Sequence, residues 1–118
     1  MHKLVIMIEE IPNEAQFDET WPEFLHVSER MPGLVKEATC RVESSLYGSV
    51  RPILVHELYF DSLDELRAAM SSPEGRSTGE LLQQMTAGRI NLFIADHKED
   101  LIENIQSFQH NENNAAKT

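Results

Sequence analysis

Three segments of this chain are apolar on both sides at once. In KLVIMIE, residues 3–9, the two-residue period of a strand puts Leu4, Ile6 and Ile8 on one face and Val5 and Met7 on the other. ILVHELYF, residues 53–60, sets Leu54, Leu58 and Phe60 against Ile53, Val55 and Tyr59. INLFIA, residues 90–95, sets Ile90, Leu92 and Ile94 against Phe93 and Ala95. A strand with one wet face alternates apolar with polar residues. These do not, so the sheet they build needs cover on both faces.

The segments between them read as helices and one weaker strand. Ile11-Pro12-Asn13 ends the first strand, and Asn13 followed by Glu14 suits a helix start. Phe17, Trp21, Phe24, Leu25 and Ser28 then recur at helical spacing, and Pro22 either kinks this helix or opens a second segment of it. Met31-Pro32-Gly33 stops it. Residues 34–43, LVKEATCRVE, are mixed in polarity and read as an edge strand. Ser62 with Glu65 is a capping box that opens a helix with Leu63, Leu66 and Met70 on one face. Ser72-Pro73 starts a third helix carrying Leu81, Leu82 and Met85, which ends near Gly88. Asp96 and Glu99 mark a tail helix with Leu101, Ile102, Ile105 and Phe108, before a polar end, HNENNAAKT.

The order is β-α-β-β-α-α-β plus the tail helix, the split βαβ arrangement of the ferredoxin-like fold. It predicts an α+β subunit, with a four-stranded antiparallel sheet whose first and third strands are central. Residues 1–100 form the domain and 101–118 a C-terminal helix and flexible tail. Helices in this fold lie on one face only. Leaving the other face wet would expose roughly 500 Å² or more of contiguous apolar surface. Covering it is worth about 10 kcal/mol before association costs. The expectation is a homodimer that stacks two sheets, forming a dimeric α/β barrel. The alternative is that the third helix or the tail helix wraps over that face. Leu101, Ile105 and Phe108 are expected against the partner or the cavity mouth.

Composition narrows the function. The 118 residues are the size of one domain, and 20 acidic against 10 basic residues give a net charge of -10. That balance disfavours nucleic acid and anionic membranes, whose recognition needs clustered Lys and Arg. The apolar run Leu4–Ile8 is too short for a signal-peptide core or a membrane span. Cys40 is the only cysteine, which fits a reducing cytoplasm, and it reads as a small buried apolar residue. The five histidines show no metal-ligand spacing, and there is no phosphate-binding Gly motif. No cofactor and no metal is expected.

From Glu57 to Glu99 the chain resembles the EthD-like family of the dimeric α/β barrel superfamily. The residues that carry the resemblance are Glu57-Leu58-Tyr59-Phe60-Asp61-Ser62 and Ser72-Pro73-Glu74-Gly75, with KLVIMIE, Phe17-Asp18 and Met31-Pro32-Gly33-Leu34 upstream. The likeness spans roughly residues 3–100. It implies a ferredoxin-like subunit paired into a β-barrel dimer, with a small-molecule cavity between helices and sheet. The family is named for ethyl tert-butyl ether degradation and is described as oxidoreductase-associated. Its relatives include cofactor-free monooxygenases, lactone isomerases, polyketide cyclases and haem-degrading enzymes, so the fold does not choose the reaction. Relatives often carry a His eight residues before the Pro-Gly. That position is Phe24 here, the nearest His is His26, and Phe17 to Pro32 is one residue shorter than usual.

His56 and Glu57 are neighbours on a strand and so face opposite sides. His56 shares its face with Leu54, Leu58 and Phe60, assigned to the helix side and the cavity, where a neutral imidazole suits a general base. The plainer reading is a core-edge histidine satisfied by a carbonyl or water. Glu57 falls on the dimer face and needs a cation there, for which Arg41 is one candidate. If the faces are reversed, Glu57 is the pocket acid. Trp21, Phe24 and Leu58 are expected to shape the pocket, with Glu37 and His26 as further contacts. Tyr47, Arg51 and His97–Asp100 read as solvated surface. The leading reading is an enzyme acting on a small, largely apolar compound in catabolism, by proton transfer or cofactor-independent oxygenation. A noncatalytic accessory dimer for an oxygenase system and a purely structural dimer are the alternatives. Polar groups in the cavity distinguish them.

Overall fold

The computed structural model describes residues 1–103. Its elements are β1 (His2–Glu9), α1 (Glu14–Ser28), β2 (Leu34–Arg41), β3 (Pro52–Phe60), α2 (Leu63–Ser71), α3 (Pro73–Thr86) and β4 (Ile90–Asp96). The strands form one antiparallel sheet in the order β2-β3-β1-β4, so the two most apolar strands are central and mixed β2 lies at an edge. This is the expected α+β, ferredoxin-like arrangement. The tail helix predicted through Phe108 lies mostly outside the described residues.

Local chemistry sets the element ends. The Asn13 side chain accepts the Gln16 N–H at 3.0 Å and starts α1. α1 then runs unbroken through Pro22, which sits on its exposed side, so no second segment forms. Gly33 takes φ +80°, a left-handed turn that favours glycine, and delivers the chain to β2. The Ser62 hydroxyl accepts the Glu65 N–H at 3.2 Å to start α2. At the next junction the Ser72 hydroxyl accepts the Gly75 N–H at 3.0 Å, and Pro73 is the first residue of α3. A Cβ at Gly75 would lie 2.1 Å from the Ala69 carbonyl oxygen, so Ser-Pro-Glu-Gly is the signature of a corner with no room for a side chain.

The core lies between the sheet and the helices, built on Leu4, Ile6 and Ile8 of β1, Leu54, Leu58 and Phe60 of β3, Phe17 and Phe24 of α1, and Leu66 and Leu82. Met70 was expected on the inner face of α2 but points outward, and Ala69 is buried in its place. The opposite sheet face keeps Val5, Met7 and Val55 partly exposed and Phe93 51% exposed, whereas Ile53, expected there, is the extra residue of a register shift against β1 and packs on the helix-side core. Cys40, expected to be buried, is exposed, because its register with Val55 puts it on this uncovered face of an edge strand. Glu57 is on the same face. Its cation is Lys3 on β1 rather than Arg41, whose register with Leu54 turns it to the helix side. His97 departs from a solvated surface role. Its ring meets Tyr59 edge-on at 4.9 Å and its Nε2 lies 2.6 Å from Glu99.

Candidate functional site

A bulge decides what β2 presents. Leu34 is in register with Phe60 but Lys36 with Tyr59, so Val35 is an extra residue. Beyond it, Glu37, Thr39 and Arg41 fall opposite Leu58, His56 and Leu54, on the helix face. Alternate residues of an edge strand thus form a polar row. Facing it, Phe17, Trp21 and Phe24 recur on α1 at i, i+4 and i+7 and form an aromatic row. Their rings are coupled: Phe17 to Trp21 at 5.4 Å and Trp21 to Phe24 at 5.0 Å.

His56 lies at the base between the rows and is completely buried. Trp21 and Phe24 meet its ring edge-on at 5.1 and 5.8 Å. Its Nδ1 is 2.8 Å from the Thr39 hydroxyl, and its Nε2 is 3.4 Å from Glu37 Oε2. Neither Nε2 nor Oε2 has a hydrogen-bond partner, although both atoms are buried. Burial pushes the His56 pKa down from 6.5 to about 4, against a smaller upward pull from Glu57. The imidazole is therefore neutral at pH 7, and its contact with Glu37 is not an ion pair. Burial, reinforced by Glu29, raises the Glu37 carboxyl above the ordinary carboxylate range.

At one end of the gap between α1 and β2, Asp18 and Arg41 form an ion pair at 3.5 Å. Beside it opens a concavity of about 240 Å³ lined by Glu14, Phe17, Asp18, Arg41, Val42 and Ile53. A second, of about 260 Å³, lies by Glu10, Glu43 and Arg51 on the far side of the β2–β3 loop. Neither reaches His56. The structure thus brings together His56, Trp21, Phe24 and Glu37. Leu58 is fully buried in the core beside them. His26 is not part of the cluster: it is exposed on the outer side of α1, with Nε2 2.9 Å from an Arg30 nitrogen. α1 continues as one helix through Pro22 and leaves His26 on its outer side. Sequence reasoning missed Thr39. The signal was its parity with Glu37, two residues away on the same strand.

Among the described residues no group of three or more His, Cys, Asp or Glu could hold a metal ion, and no helix is long and apolar enough to cross a membrane. No protein-family model and no curated protein matches the chain. Solved structures do. An ethyl tert-butyl ether degradation (EthD) family protein from Bacillus halodurans superposes with TM-score 0.77 at 25% identity, covering 83% of this chain and 99% of that one. SnoaB, a cofactor-independent oxygenase from Streptomyces nogalater, gives TM-score 0.65 at 15% identity over 86% and 96%. A dimeric ferredoxin-like protein of unknown function from Jannaschia gives 0.63 at 16% over 81% and 98%.

Proposed function

For a chain that is EthD-like and ferredoxin-like in fold, we propose a cytoplasmic homodimer that binds a small, largely apolar compound between α1 and β2. It acts on that compound by proton transfer, in catabolism, without a tightly bound cofactor. One observation carries this reading: two buried polar atoms, His56 Nε2 and Glu37 Oε2, face each other unpartnered beneath an aromatic wall. A filled structural interior has no use for such a pair, since each unsatisfied atom costs about 1–3 kcal/mol. A site that moves a proton does. His56 belongs to the acid–base apparatus, and Trp21 packs the ligand's flat face with fully buried Phe24 stacked behind it. Leu58 closes the floor.

The dimer rests on the uncovered apolar face and on the Jannaschia relative, which is dimeric. A noncatalytic accessory dimer for an oxygenase system is the second reading. It is favoured by the concavity, which stops short of His56.

The test uses the single tryptophan. In a 15N-correlated spectrum of the full chain, the one indole N–H peak is Trp21. Addition of 1-methoxynaphthalene is expected to move that peak in a saturable way. A peak unmoved by the probe, in a dimer of full mass, would leave a structural protein with a filled interior.

A further inference from the structure

We propose that the group presented to the ligand is the Glu37 carboxyl, that His56 is a positioning residue behind it, and that Thr39 sets which imidazole nitrogen carries the proton. The inference rests on the ligand site proposed above and assigns its chemistry.

His56 is wholly enclosed by Trp21, Phe24 and the sheet, so a ligand in the gap does not touch the ring. Glu37 keeps 25% side-chain exposure while its Oε2 is buried toward His56. The carboxyl is thus where the buried pair meets the gap. Neutral imidazole has one N–H and one acceptor nitrogen. The Thr39 hydroxyl, 2.8 Å from Nδ1, donates to it and leaves the ring proton on Nε2, facing Glu37 Oε2 at 3.4 Å. At 3.4 Å this contact satisfies neither atom, and it shortens when a ligand excludes water from the gap. With Oε2 held from behind, Oε1 is the oxygen left to accept from the ligand.

The charged surroundings support a basic carboxyl. Burial raises its proton affinity, and Glu29, an acidic neighbour at the end of α1, adds to this through its charge and a side-chain hydrogen bond. From β3 it faces neutral His56, which feels Glu57 from the other side of the sheet. Lys36, beside it in sequence, pairs with Glu99 instead. The ligand class follows: a flat apolar compound with an acidic O–H on the edge turned toward β2. In the step, the O–H proton passes to Glu37 Oε1, the O–H electron pair stays on the ligand oxygen, and a carboxylate plus a neutral ligand become a carboxylic acid plus an anion.

The experiment compares 1-naphthol with 1-methoxynaphthalene, which lacks the O–H, by calorimetry on the full chain. A hydrogen bond to a charged acceptor predicts a preference of about tenfold or more for the naphthol. Glu37→Gln is expected to abolish the preference and leave methyl ether affinity unchanged. In the wild type the preference should fall as the pH drops through the raised Glu37 pKa. The imidazole 15N spectrum should show His56 protonated on Nε2, with the tautomer disturbed in Thr39→Val and restored in Thr39→Ser. An unchanged preference in Glu37→Gln, or a His56 proton on Nδ1, overturns the assignment. Failure of both naphthalenes to bind overturns the ligand site itself.

Discussion

Replacing His56 by Gln tests the buried imidazole through the pH dependence of stability. The folded chain holds its pKa at about 4 against 6.5 for an unperturbed His. Between those values the unfolded chain binds the proton that the folded chain refuses. His56 therefore contributes stability that is complete above pH 6.5 and is lost as the pH falls toward 4. At about 1.36 kcal/mol per pKa unit the full loss is about 3 kcal/mol, of which about 2 kcal/mol appears between pH 7 and 5. No discount for solvent screening applies, because the ring has no exposure. Glu37 acts in the opposite sense: its raised pKa stabilises the fold as the pH falls. The clean comparison is therefore Glu37→Gln against Glu37→Gln/His56→Gln. Urea unfolding at pH 7, 6 and 5, read by far-ultraviolet circular dichroism, gives each stability. The single variant is expected to lose about 2 kcal/mol more than the double variant over this range. Parallel pH profiles would refute a His56 held neutral by burial.

Three further outcomes are expected. Phe93→Glu puts a charge on the uncovered sheet face and should shift the sedimentation mass from dimer to monomer, with the far-ultraviolet spectrum retained; a monomeric wild type at micromolar concentration contradicts the interface. Gly75→Ala forces a methyl against the Ala69 carbonyl and should lower stability by about 2–3 kcal/mol in urea, whereas Gly79→Ala, with open space at its Cβ, should not. Lys3→Met leaves the Glu57 carboxylate, 16% exposed, without its cation and should cost about 1–3 kcal/mol, recovered in Lys3→Met/Glu57→Leu.

The fold was legible because β1, β3 and β4 are short, bounded apolar runs rich in β-branched and aromatic residues, and the helix starts carry their caps at Asn13, Ser62 and Ser72. Which residues share a face was readable along β1 and most of β3, but both faces of β3 are apolar, so the assignment of His56 to the helix side left the reverse open until the helices were placed. β2 resisted because one inserted residue reverses every later face. Val35 carries no mark of that insertion. Arg41 was offered to Glu57 across the sheet although it shares parity with Glu37, which was expected at the pocket, and Thr39 between them went unremarked. His26 lies outside the cluster because α1 continues through Pro22 with His26 on its exposed side. Ala69 and Met70, at i+3 and i+4 from Leu66, both border the inner face of α2, so helical spacing alone did not separate them.

The most direct test of the account is an isotope-filtered NOE spectrum of the full chain with bound 1-methoxynaphthalene. Cross-peaks are expected from the probe to the Trp21 indole, the Phe17 ring and the Thr39 methyl group. Cross-peaks confined to Val5, Val55 and Phe93 would place the probe on the sheet face assigned to the partner and contradict it.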